Sequence, residues 1–311
     1  MRKNILIFYF FRILKRDIKM KFLYKILLFY LFNMSLMKCF RTLRGNSLQY
    51  VKLNMHHSQY IISNNNKKIF GDKEKENFFM ENEFIKNKKI ISISPGGFKG
   101  VYMLGICMYI KDHFDLSPFI FSGASAGAWN SLMLTCKKDV KLLKNEIVDY
   151  SIKNSKTIIE LENLMKKRIM EFYTTDDFDL ERLFIGVTAF NGIYPDTNIY
   201  SGFHNLEDAI DCCIASSHIP LISGGIINRY HNKFTFDGGF SRYPYLNISK
   251  NVLHITPSIW EQKTKRKNAL GDITEFTTLF SKNKYDFIEL YNRGYNDAKA
   301  NHEHLQEILQ E

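Results

Sequence analysis

Phe119-Ile120-Phe121-Ser122-Gly123-Ala124-Ser125-Ala126-Gly127-Ala128-Trp129-Asn130 is the stretch on which the reading of this chain turns. Three large apolar residues make a short buried strand, small residues make a sharp turn, and the segment from Ala128 to Cys136 reads as a helix. Gly-x-Ser-x-Gly between a strand and a helix is a nucleophile elbow, which lifts Ser125 out at the carboxyl edge of a sheet. Gly123 and Gly127 have no side chain to obstruct the close crossing of strand and helix. The helix N-terminus adds partial positive charge beside the reacting oxygen. The bland alternative is a glycine-rich turn with an incidental serine, and the flanking strand and helix argue against it.

The same unit stands upstream. Ile90-Ile91-Ser92-Ile93-Ser94 reads as a strand, Pro95-Gly96-Gly97-Phe98-Lys99-Gly100 as a glycine turn, and Lys99 to Phe114 as a buried helix. The turn places Gly97 28 residues before Ser125, and its backbone N–H groups can point at an anion. Lys99 at a helix start is unfavourable to the macrodipole unless an anion visits nearby, although a solvated lysine is the plainer explanation. A dinucleotide-binding turn is the rival reading, but that fingerprint wants Gly where Pro95 stands and leaves the second turn with its serine unexplained. Further strands are expected at Leu183 to Ala189, Ile226 to Tyr230, Lys233 to Phe236 and Val252 to Thr256, with helix from Lys284 to Leu309. The alternation predicts an α/β domain over residues 90–298 with helices on both faces of the sheet, and residues 299–311 as a C-terminal helix end.

The net charge of +11 over 311 residues raises a nucleic-acid reading. It dissolves once the charge is located: residues 1–70 carry 14 Lys or Arg against Asp17 alone, and the other 241 residues carry 29 basic and 31 acidic side chains. A near-neutral body offers no basic groove for a phosphate backbone. Residues 1–53 combine the basic residues with apolar runs at Ile5 to Phe11 and Ile26 to Met37; the 12 residues of the second suit a signal-peptide core of about 7–15 residues better than a span of about 20. The acid-poor sequence continuing through Arg41, Arg44 and Lys52 also fits a transit peptide. The segment is therefore expected to be a targeting or membrane-associating one, leading to the secretory pathway or an organelle. Residues 54–89, rich in Asn and Lys, read as a disordered linker. Five cysteines without a Cys-x-x-Cys pair fit neither a zinc framework nor a complete disulfide set.

A serine nucleophile needs a base. Asp237, in Asp237-Gly238-Gly239, ends the hairpin-like segment Ile226 to Phe236, and the glycines after it would let the backbone pass close to the elbow. His254 ends another apolar run and would preserve the order Ser, Asp, His of an α/β-hydrolase triad. The acids Asp176, Asp177 and Asp179 lack the glycine and the glutamate of a calcium loop, and helix capping explains them better.

Three elements in order, the glycine turn, Gly-x-Ser-x-Gly and Asp-Gly-Gly, resemble the patatin-like phospholipase family. Phe98-Lys99-Gly100-Val101-Tyr102 resembles the corresponding turn of the adiponutrin branch, and Ala215-Ser216-Ser217-His218-Ile219-Pro220 resembles the family's Ala-Ser-x-x-x-Pro segment. The resemblance implies a three-layer α/β/α domain with a central, mainly parallel sheet. It also implies a Ser125–Asp237 dyad working without a histidine, and an oxyanion hole among Gly96, Gly97, Phe98, Lys99 and Gly100. Pro95 stands where the family usually has its first Gly and has no N–H to donate; Tyr243-Pro244 stands where many members have Asn-Pro. The implied activity is hydrolysis of fatty-acyl esters of membrane glycerolipids, with no cofactor or metal, a membrane lipid as substrate and contact with the membrane surface. The substrate wall is expected between Val140 and Arg182, where Leu143, Ile147, Ile158, Leu161 and Leu164 recur. The alternatives are a Ser-His-Asp esterase using His254 and a catalytically silent lipid-binding protein with the same fold.

Overall fold

The computed structural model describes residues 60–63, 88–139, 142–191, 194–220, 223–225, 227–241, 244–246, 251–260 and 286–310. The expected targeting segment and most of the expected linker lie outside them. Within the linker stretch there is nevertheless a strand, β1 (Tyr60–Ser63). The elements that follow are β2 (Lys89–Ile93), α1 (Gly100–His113), β3 (Phe119–Gly123), α2 (Ala126–Thr135), α3 (Tyr150–Asn154), α4 (Ile158–Phe172), β4 (Leu183–Asn191), β5 (Tyr194–Ser201), α5 (Leu206–Ser216), β6 (Asn228–Tyr230), β7 (Lys233–Phe236), β8 (Asn251–Ile255), α6 (Phe287–Ala300) and α7 (His302–Gln310). A π-helical turn, Leu143–Asp149, precedes α3.

The strands form one eight-stranded sheet in the order β1-β5-β4-β3-β2-β8, with β7 on β4 and β6 on β7. Its centre is parallel: β2 pairs with β3 and β8, and β3 with β4. The strands beyond β4, at the margin opposite β8, are antiparallel. Helices flank this mixed sheet, the three-layer α/β/α architecture expected from the sequence. Parallel strands covered on both faces need apolar residues at successive positions. Accordingly Ile91, Ile93, Phe119, Phe121 and Ile185 enter the main core with α1 and α2, while Ile90, Ile120 and Phe184 turn the other way to meet Ile199 and Leu246.

Side-chain caps mark the helix starts. Thr157 accepts from the Glu160 N–H, Asn205 from that of Asp208, and Asp286 from those of Ile288 and Glu289. The acids at 176–179 also have structural work: Asp177 closes a capping box with Thr174 and pairs with Lys138, and Asp179 pairs with Arg182. The antiparallel partner β5 was not anticipated, because Pro195, Asp196 and Asn198 read against a strand. Burial of Ile199 and Tyr200 and the β4 hydrogen bonds override that local preference.

Candidate active site

The chain leaving β2, β3 and the antiparallel strand β7 builds the site. Leaving β3, the chain reverses at Ser125 with φ 56° and ψ −127°, a positive φ that costs a non-glycine residue about 1–3 kcal/mol. Close packing holds it there. A Cβ on Gly123 would lie 2.1 Å from the Gly127 carbonyl oxygen, and one on Gly127 would lie 2.1 Å from that of Ile93. Both positions therefore accept only glycine, and the strain is paid by the crossing of β3, β2 and α2.

Ser216, at the end of α5, ties this turn to β4. Its Oγ accepts the Ser125 N–H at 2.7 Å and donates to the Gly186 carbonyl at 2.7 Å. The sequence offered Ser216 only as part of a segment, because nothing local shows that α5 ends under the elbow. Ser216→Ala leaves two buried groups without partners, so it is expected to cost about 2–4 kcal/mol in a denaturant melt.

Asp237 follows β7, whose pairing with β4 brings Phe236 opposite Thr188. The Asp237 N–H donates to the His218 carbonyl at 2.7 Å, and the Thr188 hydroxyl donates to the Asp237 carbonyl at 2.9 Å. So fixed, its carboxylate meets the elbow: Ser125 Oγ donates to Oδ2 at 2.6 Å and the Gly239 N–H to Oδ1 at 2.6 Å. Gly238 allows the approach, since a Cβ there would lie 2.3 Å from the Gly186 carbonyl oxygen. Burial raises the Asp237 carboxyl from 3.8 to about 6, against the two hydrogen bonds that favour its charged form. The group is thus ionised at neutral pH yet close enough to titration to take a proton.

The glycine turn lies beside the elbow. Gly97 has φ 51°, and Gly97–Lys99 form a 3-10 turn leading into α1. Gly97, Phe98 and Gly100 line the same cavity as Ser125; Gly96 and Lys99 do not. The Lys99 N–H is spent on Gly96 O, and that of Gly100 on the carbonyls of Gly97 and Phe98. The five expected oxyanion donors therefore narrow, and the Gly97 N–H is not spent on any described acceptor. Asn130 locks the turn to the elbow helix by donating to Gly100 O at 3.0 Å. The N-termini of α1 and α2 meet so closely that a Cβ on Gly100 would lie 2.5 Å from that of Ala126. Two helix N-termini converging on one point favour developing negative charge there.

His254 stands apart. It lies opposite Ser92 on β2, which lies opposite Ser122 on β3, so two strand spacings, about 10 Å, separate it from the elbow strand. Its Nδ1 shares a hydrogen bond with Ser92 Oγ at 2.7 Å and its Nε2 one with Tyr245 at 3.4 Å.

The cavity has a volume of about 140 Å³ and a largely apolar wall. Ile158 and Leu161 contribute to it, as does Val148, whereas Leu143 and Ile147 belong to the core beneath. The sequence reading missed Trp129 and Glu162, which also face it. The arrangement places a serine hydroxyl on a buried carboxylate, with the glycine turn beside them at one largely apolar cavity.

Residues 91–246 match the family model described as patatin-like phospholipase. A search of curated proteins finds no match.

Proposed function

The chain belongs to the patatin-like phospholipase family, and from that premise we propose that it is a serine lipid acyl hydrolase working through Ser125 and Asp237. The observation that carries the reading is the 2.6 Å hydrogen bond from the Ser125 hydroxyl to a buried carboxylate. Ser125 Oγ attacks the ester carbonyl carbon while its proton passes to Asp237. The tetrahedral oxyanion is held by amides of the glycine turn, with Gly97 the foremost donor, and by the two converging helix N-termini. Collapse expels the alcohol, which takes the proton from Asp237. Asp237 then takes a proton from water, whose oxygen attacks the acyl-serine, and the fatty acid leaves as Ser125 regains its proton. The substrate is a glycerolipid ester met at a membrane surface, its acyl chain lying along Val148, Ile152, Ile158 and Leu161.

The test is fatty-acid release from mixed phospholipid and triglyceride vesicles with calcium chelated. Release by the full chain is expected; lipid binding by a folded protein without release overturns the reading in favour of a binding protein. In the same assay His254→Ala is expected to keep activity within about threefold, because its ring is held by Ser92 and Tyr245. A true triad histidine would cost roughly 10⁴-fold or more.

A further inference from the structure

The cavity that holds Ser125 and Asp237 contains another carboxyl group. Glu162, in the second turn of α4, is 6% exposed and sits on the wall with Ile158 and Met165. It faces the Trp129 indole and the Ser217 hydroxyl. Trp129 stands four residues after Ser125, one helical turn from the nucleophile on the same face of α2.

Proton bookkeeping at Ser217 favours a neutral Glu162. The Ser217 hydroxyl donates to Cys213 O at 3.0 Å and its oxygen accepts the Trp129 Nε1–H at 3.1 Å. A serine oxygen can accept once more. A carboxylic acid can supply that proton; a carboxylate must instead draw on the Trp129 Nε1–H or turn the Ser217 proton away from Cys213, and either choice breaks a bond already made.

The charged and titratable surroundings give the carboxylate no support. From the loop after β7 comes Asp237, a like charge, and from α5 the buried Cys213 thiol. From α4 itself, Lys166 is engaged by Asp211 at 2.6 Å and Glu207 at 2.9 Å. The π-helical turn and α3 present Val148 and Ile152 to the cavity. Burial first, and Asp237 second, hold the Glu162 carboxyl well above the usual carboxylate range, outweighing Ser217 and Trp129.

We propose that Glu162 is a positioning residue of the reaction, whose neutral form completes the wall for the acyl chain and whose ionisation closes the site at high pH. This rests on the acyl-hydrolase reading above. A second negative charge in a poorly hydrated cavity opposes the oxyanion forming at Ser125 and draws water into the space the chain must occupy. Activity then has an acid limb belonging to Asp237 and an alkaline limb belonging to Glu162.

The experiment follows kcat/KM for a water-soluble aryl ester against pH, each enzyme normalised to its own maximum. In parallel it follows the rate at which a fluorophosphonate labels Ser125. Wild type is expected to fall about tenfold per pH unit on the alkaline side, as for loss of one proton. E162Q and E162L, neither of which can ionise, are expected to lose that limb, while E162D keeps one. Thermal melts establish that each variant is folded, and two non-ionising variants guard against one failing to fold. An alkaline limb that persists in E162Q or E162L, or its absence from wild type, overturns the proposal. Absent ester turnover with labelling that still loses its limb in E162Q overturns the hydrolase reading and supports the role of Glu162.

Discussion

Asp237→Asn is expected to reduce lipid hydrolysis by about 10²–10⁴-fold and, above pH 6, to leave a more stable protein. Both effects come from burying the base. Asp237 is 6% exposed, and burial raises its pKa in the fold from 3.8 to about 6. Between those values the unfolded chain releases the proton that the folded chain keeps, so stability falls as pH rises through this window. Above pH 6 the full penalty is present, on the order of 1–3 kcal/mol at 1.36 kcal/mol per pH unit. Asn carries no such penalty and can still accept the Gly239 N–H. The gain of Asp237→Asn over wild type, read from urea melts, should therefore be largest at neutral pH and vanish near pH 4. Activity moves the opposite way. Wild-type kcat/KM should rise through pH 6 as the base ionises, and Ser125→Ala should be inactive throughout with a stability profile that keeps the wild-type sign. An Asp237→Asn protein that still turns over lipid, or one less stable than wild type at pH 7, would sink this account.

The parts of this molecule that could be read from the sequence are those whose chemistry is local. A strand, a small-residue turn and a helix announce Ser125, because the elbow needs its glycines within two residues of the nucleophile. Asp237 was legible for a similar reason: the glycines after it permit the close approach that the Gly238 geometry shows. What stayed hidden depends on elements distant in sequence. Ser216 lies 91 residues from the N–H it accepts. Glu162 reads as one more acid on an amphipathic helix until α4 lies against Trp129 and Ser217. The turn from Gly96 to Gly100 reads as a block of five expected donors, and only the 3-10 turn shows that Lys99 and Gly100 spend their amides locally. The strand β5 was lost to Pro195 and Asp196, whose local preferences yield to the register with β4.

Gly294→Val is expected to be among the most damaging substitutions in the chain, although it lies outside the matched residues 91–246 and far in sequence from the nucleophile. The helices α1 and α6 cross with glycine on both sides of the contact. A Cβ on Gly294 would lie 1.9 Å from the Tyr102 carbonyl oxygen, and one on Gly105 would lie 2.1 Å from that of Tyr291. The obstacle in each case is helix backbone, which cannot rotate aside as a side chain can, so any β-carbon must push the helices apart. Separation would strip the crossing of its hydrogen bonds, Tyr102 Oη to Asp297 at 2.7 Å and Tyr295 Oη to Asp112 at 3.0 Å. Overpacking of this kind costs about 3 kcal/mol or more, which for a domain of this size lowers Tm by roughly 6–12 °C. Asn296→Ala, on the exposed face of the same helix, is the control and should stay within about 0.5 kcal/mol. The damage should reach the reaction as well, because Phe287 at the start of α6 lines the cavity and packs edge-on against Phe98 of the glycine turn at 5.5 Å. A Gly294→Val protein that melts with wild type would show that the α1–α6 crossing can open to admit a side chain and would overturn this account. The expected loss would show that the working domain extends past the matched segment into the C-terminal helices, where Leu305 and Leu309 of α7 are buried in the same core.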